Sequence, residues 1–147
     1  MSDFERMANH ISWANRILVT FIHDHGWNEQ PARLMSHVVQ AEAVWYNRIT
    51  GAPADREVFR MLPRFEIEER IDRHRQVVRR LVRDSLNDRI AFRRFSGEAH
   101  EATVSEILIH VITHGFHHRG QITAHYAGEG IPPPAIDFLT YANSAGR

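Results

Sequence analysis

Thr103-Val-Ser-Glu-Ile-Leu-Ile-His110-Val-Ile-Thr-His114-Gly-Phe-His-His118-Arg-Gly-Gln121-Ile-Thr-Ala-His125-Tyr-Ala-Gly128 is the stretch whose periodicity decides the fold. It opens on a capping box, Thr103 with Glu106 three residues later, and its apolar residues then recur with a helical period, which predicts one long helix. At about 100° per residue, Val104, Leu108, Val111, Gly115 and Ile122 gather on one face. Along the border of that face run His110, His114, His117, His118, Gln121 and His125, all within about 60° of His114. A solvated stripe is normally dressed with Glu, Arg or Gln. Imidazoles on adjacent turns instead have the spacing that brings two ring nitrogens to one metal ion.

The same period recurs upstream. A Ser2–Glu5 capping box opens a segment from Asp3 to about Phe21, with Phe4, Met7, Ala8, Ile11, Ala14, Leu18 and Ile22 on one face. Asn15 shares that apolar face, and Trp13 and Ile17 project from the other. A second segment, Pro31 to Gly51, buries Leu34, His37, Val38, Ala41, Val44 and Trp45, and a third, about Phe65 to Leu86, buries Ile67, Ile71, His74, Val78, Leu81 and Val82. The third is rich in arginine, but acids interleave at i,i+4, as on a solvated helix face. Residues Ala52 to Arg64 hold two prolines and read as a connection. At about 3.3 Å per residue it is long enough to cross a helical body, so segments two and three are free to run parallel. No convincing alternating strand occurs. Asn87 to Ala102 reads as irregular, turning at Ser96-Gly97, with Phe92 and Phe95 tucked beneath the helices. After Pro132 to Pro134, a short segment, Asp137 to Tyr141, closes the chain. The expectation is an all-α fold in a single domain over residues 1–147.

Composition narrows the function. Eighteen basic and eighteen acidic residues cancel among 147 residues, which argues against a nucleic-acid partner. Cysteine is absent, so thiolate metal sites and a cysteine nucleophile are excluded. The N-terminus lacks a signal-peptide pattern and no apolar run is long enough for a membrane span, so a cytoplasmic protein without membrane contact is expected.

His114 and His118 are the favoured pair in the stripe, because Gly115 thins the helix between them. A third ligand has to come from another helix, and His37, on the apolar face of segment two, is the natural candidate. The alternative is that these histidines are hydrogen-bonded core residues. The metalloprotease pattern fails because Gly115 stands where a Glu is needed, and no Glu-x-x-His of a di-iron bundle occurs. Three neutral imidazoles suit a divalent Zn, Ni, Fe or Mn with an open position, its affinity falling as the pH drops through about 6.5.

His37-Val-Val-Gln-Ala-Glu-Ala-Val-Trp45, followed by His110-Val-Ile-Thr-His114-Gly-Phe-His-His118-Arg-Gly-Gln121, resembles the DinB/YfiT-like superfamily of metal-dependent enzymes. His10-Ile-Ser-Trp13-Ala-Asn15 is similar to that family's Tyr-x-x-Trp-Ala-Asn, with His10 in place of the tyrosine, and Asp137-Phe-Leu-x-x-Tyr141 adds a match at the end. The resemblance implies an up-down-down-up four-helix bundle and a metal held by His37, His114 and His118. It also implies a metal-dependent enzyme, since members of known activity include thiol S-transferases and mycothiol-dependent isomerases; an ion with an open position activates a low-molecular-weight thiol or a water, so the expectation is a thiol S-transferase or a hydrolase acting on a small molecule. A non-catalytic metal- or ligand-binding bundle is the competing reading. His110, His117, Gln121, Asn15 and His10 are candidates to orient the ligands or the substrate, and no catalytic residue is singled out. Trp13 and Ile17, one turn apart on the outer face of the first helix, suggest a homodimer; the alternative is that the closing segment around Phe138 and Tyr141 of the same chain covers Trp13.

Overall fold

The computed structural model describes residues 1–145. Its helices are α1 (Asp3–Asp24), α2 (Glu29–Thr50), α3 (Arg64–Asp84), α4 (Val104–Gly128) and α5 (Phe138–Ala145), with a hairpin of β1 (Arg89–Arg93) and β2 (Ala99–Thr103) between α3 and α4. Both expected capping boxes form. The Glu5 amide donates to Ser2 Oγ at 3.2 Å while Glu5 Oε2 accepts from the Ser2 amide at 2.8 Å, and Thr103 and Glu106 repeat the pattern at 3.2 and 2.7 Å. α2 starts two residues before Pro31, which a first turn tolerates because its amides lack intrahelical acceptors. It stops at Gly51, whose φ of +76° is the left-handed conformation that ends a helix.

The apolar faces close into two clusters. One joins Leu18 and Ile22 of α1, Met35 and Val38 of α2, Ile67 and Ile71 of α3, and Ile122 and Tyr126 of α4. The other joins Ala8, Tyr46, Val78, Leu81, Val104 and Leu108. The first cluster draws on the later halves of α1 and α4 and the earlier halves of α2 and α3; the second draws on the opposite halves. Each large aliphatic side chain so buried contributes about 1.5–3 kcal/mol. Between the clusters the interior turns polar, with Asn15, Glu42, His74 and Arg119 all buried. On the outside of α3, Arg70 and Arg73 pair with Glu66 and Glu69 at 2.9 and 3.5 Å, as the charge pattern implies.

One expectation needs correction. Asn87 to Ala102 is not irregular: β1 and β2 pair antiparallel, Arg89 opposite Thr103 and Phe92 opposite His100, around a turn in which Gly97 has φ +91°. β1 does alternate, with Ile90 and Phe92 half-buried, but β2 (Ala-His-Glu-Ala-Thr) has no large apolar residue to signal a strand. Phe92 packs edge-on to Trp45 at 5.2 Å, whereas Phe95 remains 41% exposed beneath the Arg48 guanidinium. On the outer face of α1, Trp13 is half-buried against Tyr141 of α5, 5.6 Å between ring centroids, and Ile17 is half-buried as well. No helix among the described residues is long and apolar enough to cross a membrane.

Candidate metal centre

His37 stands on the buried face of α2, 6% exposed. Its Nδ1–H donates to the Val58 carbonyl at 2.8 Å, and the Phe59 ring stacks flat on it at 3.9 Å. Both partners belong to the connection between α2 and α3. Gln40, almost one turn further along α2, holds that connection by donating from Nε2 to the Arg60 carbonyl at 2.8 Å. With its proton on Nδ1, His37 turns the Nε2 lone pair toward α4. There His114 and His118, on successive turns, place their own Nε2 atoms: His37 to His114 is 3.2 Å and His118 to His114 is 3.1 Å. His118 Nδ1–H donates to Gln121 Oε1 at 2.7 Å, so its Nε2 also presents a lone pair. One ring nitrogen from each of the three lies within 4.8 Å of the others, a group that can hold a metal ion.

The donors fit such an ion. A tetrahedral centre with metal–nitrogen bonds of about 2.0–2.1 Å sets its ligand atoms about 3.3 Å apart, close to the spacing here. The proton count agrees: His37 and His118 both use their N–H on Nδ1, so a single proton on His114 Nε2 can serve only one of the two lone pairs facing it. A divalent cation satisfies all three. Burial first, then the neighbouring charges of His118, His37 and His110, push the His114 pKa down to about 4, with the Glu42 carboxylate acting the other way. Burial lowers His37 as well, against the pull of the Val58 carbonyl. Proton competition at these two rings therefore sets in below the value of about 6.5 expected for an unperturbed imidazole.

The other candidates lie elsewhere or at the margin. His110 packs edge-on to Trp45 at 4.9 Å, and His117 is exposed beside the His118 ring at 5.0 Å. Gln121 orients His118. Asn15 does not reach the three histidines; its Oδ1 accepts from Arg119 Nη1 at 3.1 Å. Arg119 is 2% exposed, and burial lowers its pKa to about 10, so it remains charged at neutral pH. Gly115 makes room for this guanidinium, since a Cβ there would lie 2.9 Å from Arg119 Nη1. The thin point in α4 thus serves Arg119, a role for which the glycine four residues earlier was the available signal.

His10 is fully buried in an aromatic box of Trp13, Phe116, Phe138 and Tyr141. Its Nε2–H donates to the Ile136 carbonyl at 2.8 Å and its buried Nδ1 has no partner among the described residues, so protonation would put an unpaired N–H in the interior. Its pKa is lowered, chiefly by burial, with the Ile136 carbonyl opposing. With a lowered folded-state pKa, the unfolded chain binds more protons once the pH drops below about 6.5, so the stabilisation is complete above that pH and lost below it. Urea midpoints should fall between about pH 7.5 and about pH 5.5, and fall less steeply in His10→Phe. Parallel curves for the two proteins would contradict this account of His10.

Val58, Phe59, Arg119 and Glu42 are neighbours of the site that sequence reasoning did not single out. Val58 acts through its carbonyl, which no side-chain pattern reveals. Glu42 did carry a signal, as an acid beside the apolar face of α2. No curated protein matches the chain. The DinB family model matches residues 1–147, and the chain belongs to the DinB family.

Proposed function

We propose that this protein is a metal-dependent enzyme acting on a small molecule, with His37, His114 and His118 as the ligands of a divalent Zn, Ni, Fe or Mn ion. One observation carries the reading: three Nε2 atoms converge while the Nδ1 atoms of His37 and His118 are held by Val58 and Gln121. Three neutral ligands leave the ion its charge and an open position, and such an ion lowers the pKa of a bound water or thiol into the neutral range. The chain has no cysteine, so a thiol nucleophile has to be a separate low-molecular-weight molecule, as in an S-transferase; with water the reaction is a hydrolysis. Phe59 covers one face of the His37 ring and screens it from water. Gln121 fixes the tautomer of His118, and exposed His117 and His110 flank the ligands where a substrate would approach. An up-down-down-up four-helix bundle is the arrangement that the two core clusters support, since α1 and α4 share one polarity of cluster membership and α2 and α3 the other.

The competing reading, a closed non-catalytic site, differs at the open position. The visible spectrum of cobalt(II)-loaded protein should change when a small thiol or an anion is added; an unchanged spectrum would mark a closed site and defeat the enzymatic reading. Gln121→Leu should weaken metal affinity about 10–100-fold by freeing the His118 ring, measured by competition with a chelator. Light scattering reads the association state, and Trp13→Glu tests whether a homodimer uses the outer face of α1.

A further inference from the structure

Where the hairpin meets α2 and the connection, arginines gather on aromatic rings. Arg48, near the end of α2, lies over three of them, its Cζ 4.5 Å from the Trp45 ring centroid, 5.3 Å from that of Phe92 and 5.1 Å from that of Phe95. Its Nη2 donates to the Arg93 carbonyl at 3.2 Å. The guanidinium is thus fixed in place and half-buried, while its Nε and Nη1 have no partner among the described residues and are open to solvent. Arg56, on the connection, lies over the same Phe95 ring at 5.5 Å and donates to the Phe95 carbonyl at 3.0 Å. The charge of a third cation, Arg94, also reaches Arg48: burial first, then Arg94, lower the Arg48 pKa.

The acids nearby do not neutralise this group. None of Arg48, Arg56 and Arg94 forms an ion pair among the described residues. Glu101 pairs with Arg89, and Glu98, across the turn from Arg94, faces His100 Nε2 at 3.1 Å. Asp55 and Glu57 flank Arg56 in sequence but line the space between α2 and α3. Like charges gathered without a counter-charge repel one another, and an anion relieves that cost. A guanidinium offers a carboxylate or phosphate paired donors, and one already immobilised on rings loses little entropy in doing so.

Trp45 connects this corner to the three histidines. The His110 ring packs edge-on against it at 4.9 Å, opposite in role to Arg48, and His110 in turn stacks on His114 at 6.0 Å. His110 is exposed and His114 half-buried, so the way from Arg48 to the converging Nε2 atoms runs along the surface. On α2 the same span, His37 to Arg48, is three turns, about 16 Å along the axis.

We infer that Arg48, with Arg94 beside it, holds the anionic end, a carboxylate or a phosphate, of the small molecule that reacts at the three histidines. This rests on the metal-dependent reading proposed above, so the anion site is tested first without metal. Phenyl phosphate is titrated calorimetrically into metal-free wild type and into His114→Ala. Both should bind it with a Kd below about 1 mM, whereas 2-phenylethanol, which lacks the charge, should not bind. Arg48→Gln should weaken binding about tenfold or more, and Arg94→Gln, at an exposed position, decides the matter if Arg48→Gln fails to fold by circular dichroism. Arg79→Gln, at an exposed position of α3, should bind like the wild type. The link to the histidines is read from the visible spectrum of cobalt(II)-loaded protein. There 8-mercaptooctanoate should act at about a tenth of the concentration that 8-mercaptooctan-1-ol needs, and Arg48→Gln should remove the difference. The inference is overturned if phenyl phosphate does not bind, if Arg48→Gln and Arg94→Gln bind it like the wild type, if Arg79→Gln weakens it as much as they do, or if the two thiols act alike on the wild type. A spectrum that responds to neither thiol defeats the metal-dependent reading and the link with it, while the calorimetry still decides whether the anion site exists.

Discussion

His114→Ala is expected to purify without bound divalent metal, where the wild type carries about one ion per chain. His114 Nε2 is the atom common to both short contacts, 3.2 Å from His37 and 3.1 Å from His118, so its loss leaves two donors with nothing between them. The affinity lost should exceed the roughly 10–100-fold that follows from removing a ligand's hydrogen-bond partner. Elemental analysis of untagged protein from metal-replete medium reads the result. His110→Ala and His117→Ala are the controls that separate a metal centre from a generally histidine-rich surface, because both belong to the same stripe but lie outside the converging group. They should retain the ion. If wild type and His114→Ala are both metal-free, and added Zn, Ni or Mn does not bind, the metal reading fails.

The second large effect is on stability. Arg119 is a buried cation whose one side-chain hydrogen bond among the described residues reaches Asn15 Oδ1 at 3.1 Å, while its Nη2 has no partner among them. The Phe116 ring packs against the guanidinium, its centroid 4.8 Å from Arg119 Cζ. Asn15→Ala therefore takes the hydrogen-bond acceptor from a buried guanidinium and should cost about 2–3 kcal/mol in urea denaturation, as hydrogen bonds to charged groups do. Arg16→Ala, one residue along, removes an ion pair with Asp72 whose side chains are 48% and 56% exposed, and should cost less than about 1 kcal/mol. Asn15→Asp keeps an acceptor for Arg119 and should retain most of the stability that alanine loses. Equal costs for Asn15→Ala and Arg16→Ala would mean that water reaches the Arg119 guanidinium.

The helices are legible because each combines a 3.6-residue period with explicit ends: Ser2 and Glu5, Gly51, Thr103 and Glu106. The hairpin is not, because two five-residue strands cannot sustain a period and β2 owes its pairing to β1 and the Gly97 turn. The cluster of His37, His114 and His118 is legible because helix geometry alone puts His114 and His118 on one face, and an imidazole among valines and alanines demands an explanation. What holds the cluster is hidden from sequence, since Val58 contributes a peptide carbonyl twenty-one residues from His37. The cover over Trp13 is one of two readings the sequence leaves open: the closing segment offers Phe138 and Tyr141, but no local pattern reports whether they or a second chain will meet that face. Arg119 was visible as a residue in a motif, but its burial depends on Gly115 and Asn15 together, one on its own helix and one on α1.

His37 takes its orientation from main chain, and this divides the kinds of genetic change the site can absorb. No substitution at position 58 deletes a carbonyl, so residues there are free to drift as long as the path of the connection persists. A one-residue insertion or deletion between Gly51 and Pro63 would displace that carbonyl even if every side chain in the site were kept. The centre is thus buffered against point mutation on its α2 side and brittle toward changes in loop length. Variants of this connection are best compared by length before they are compared by residue.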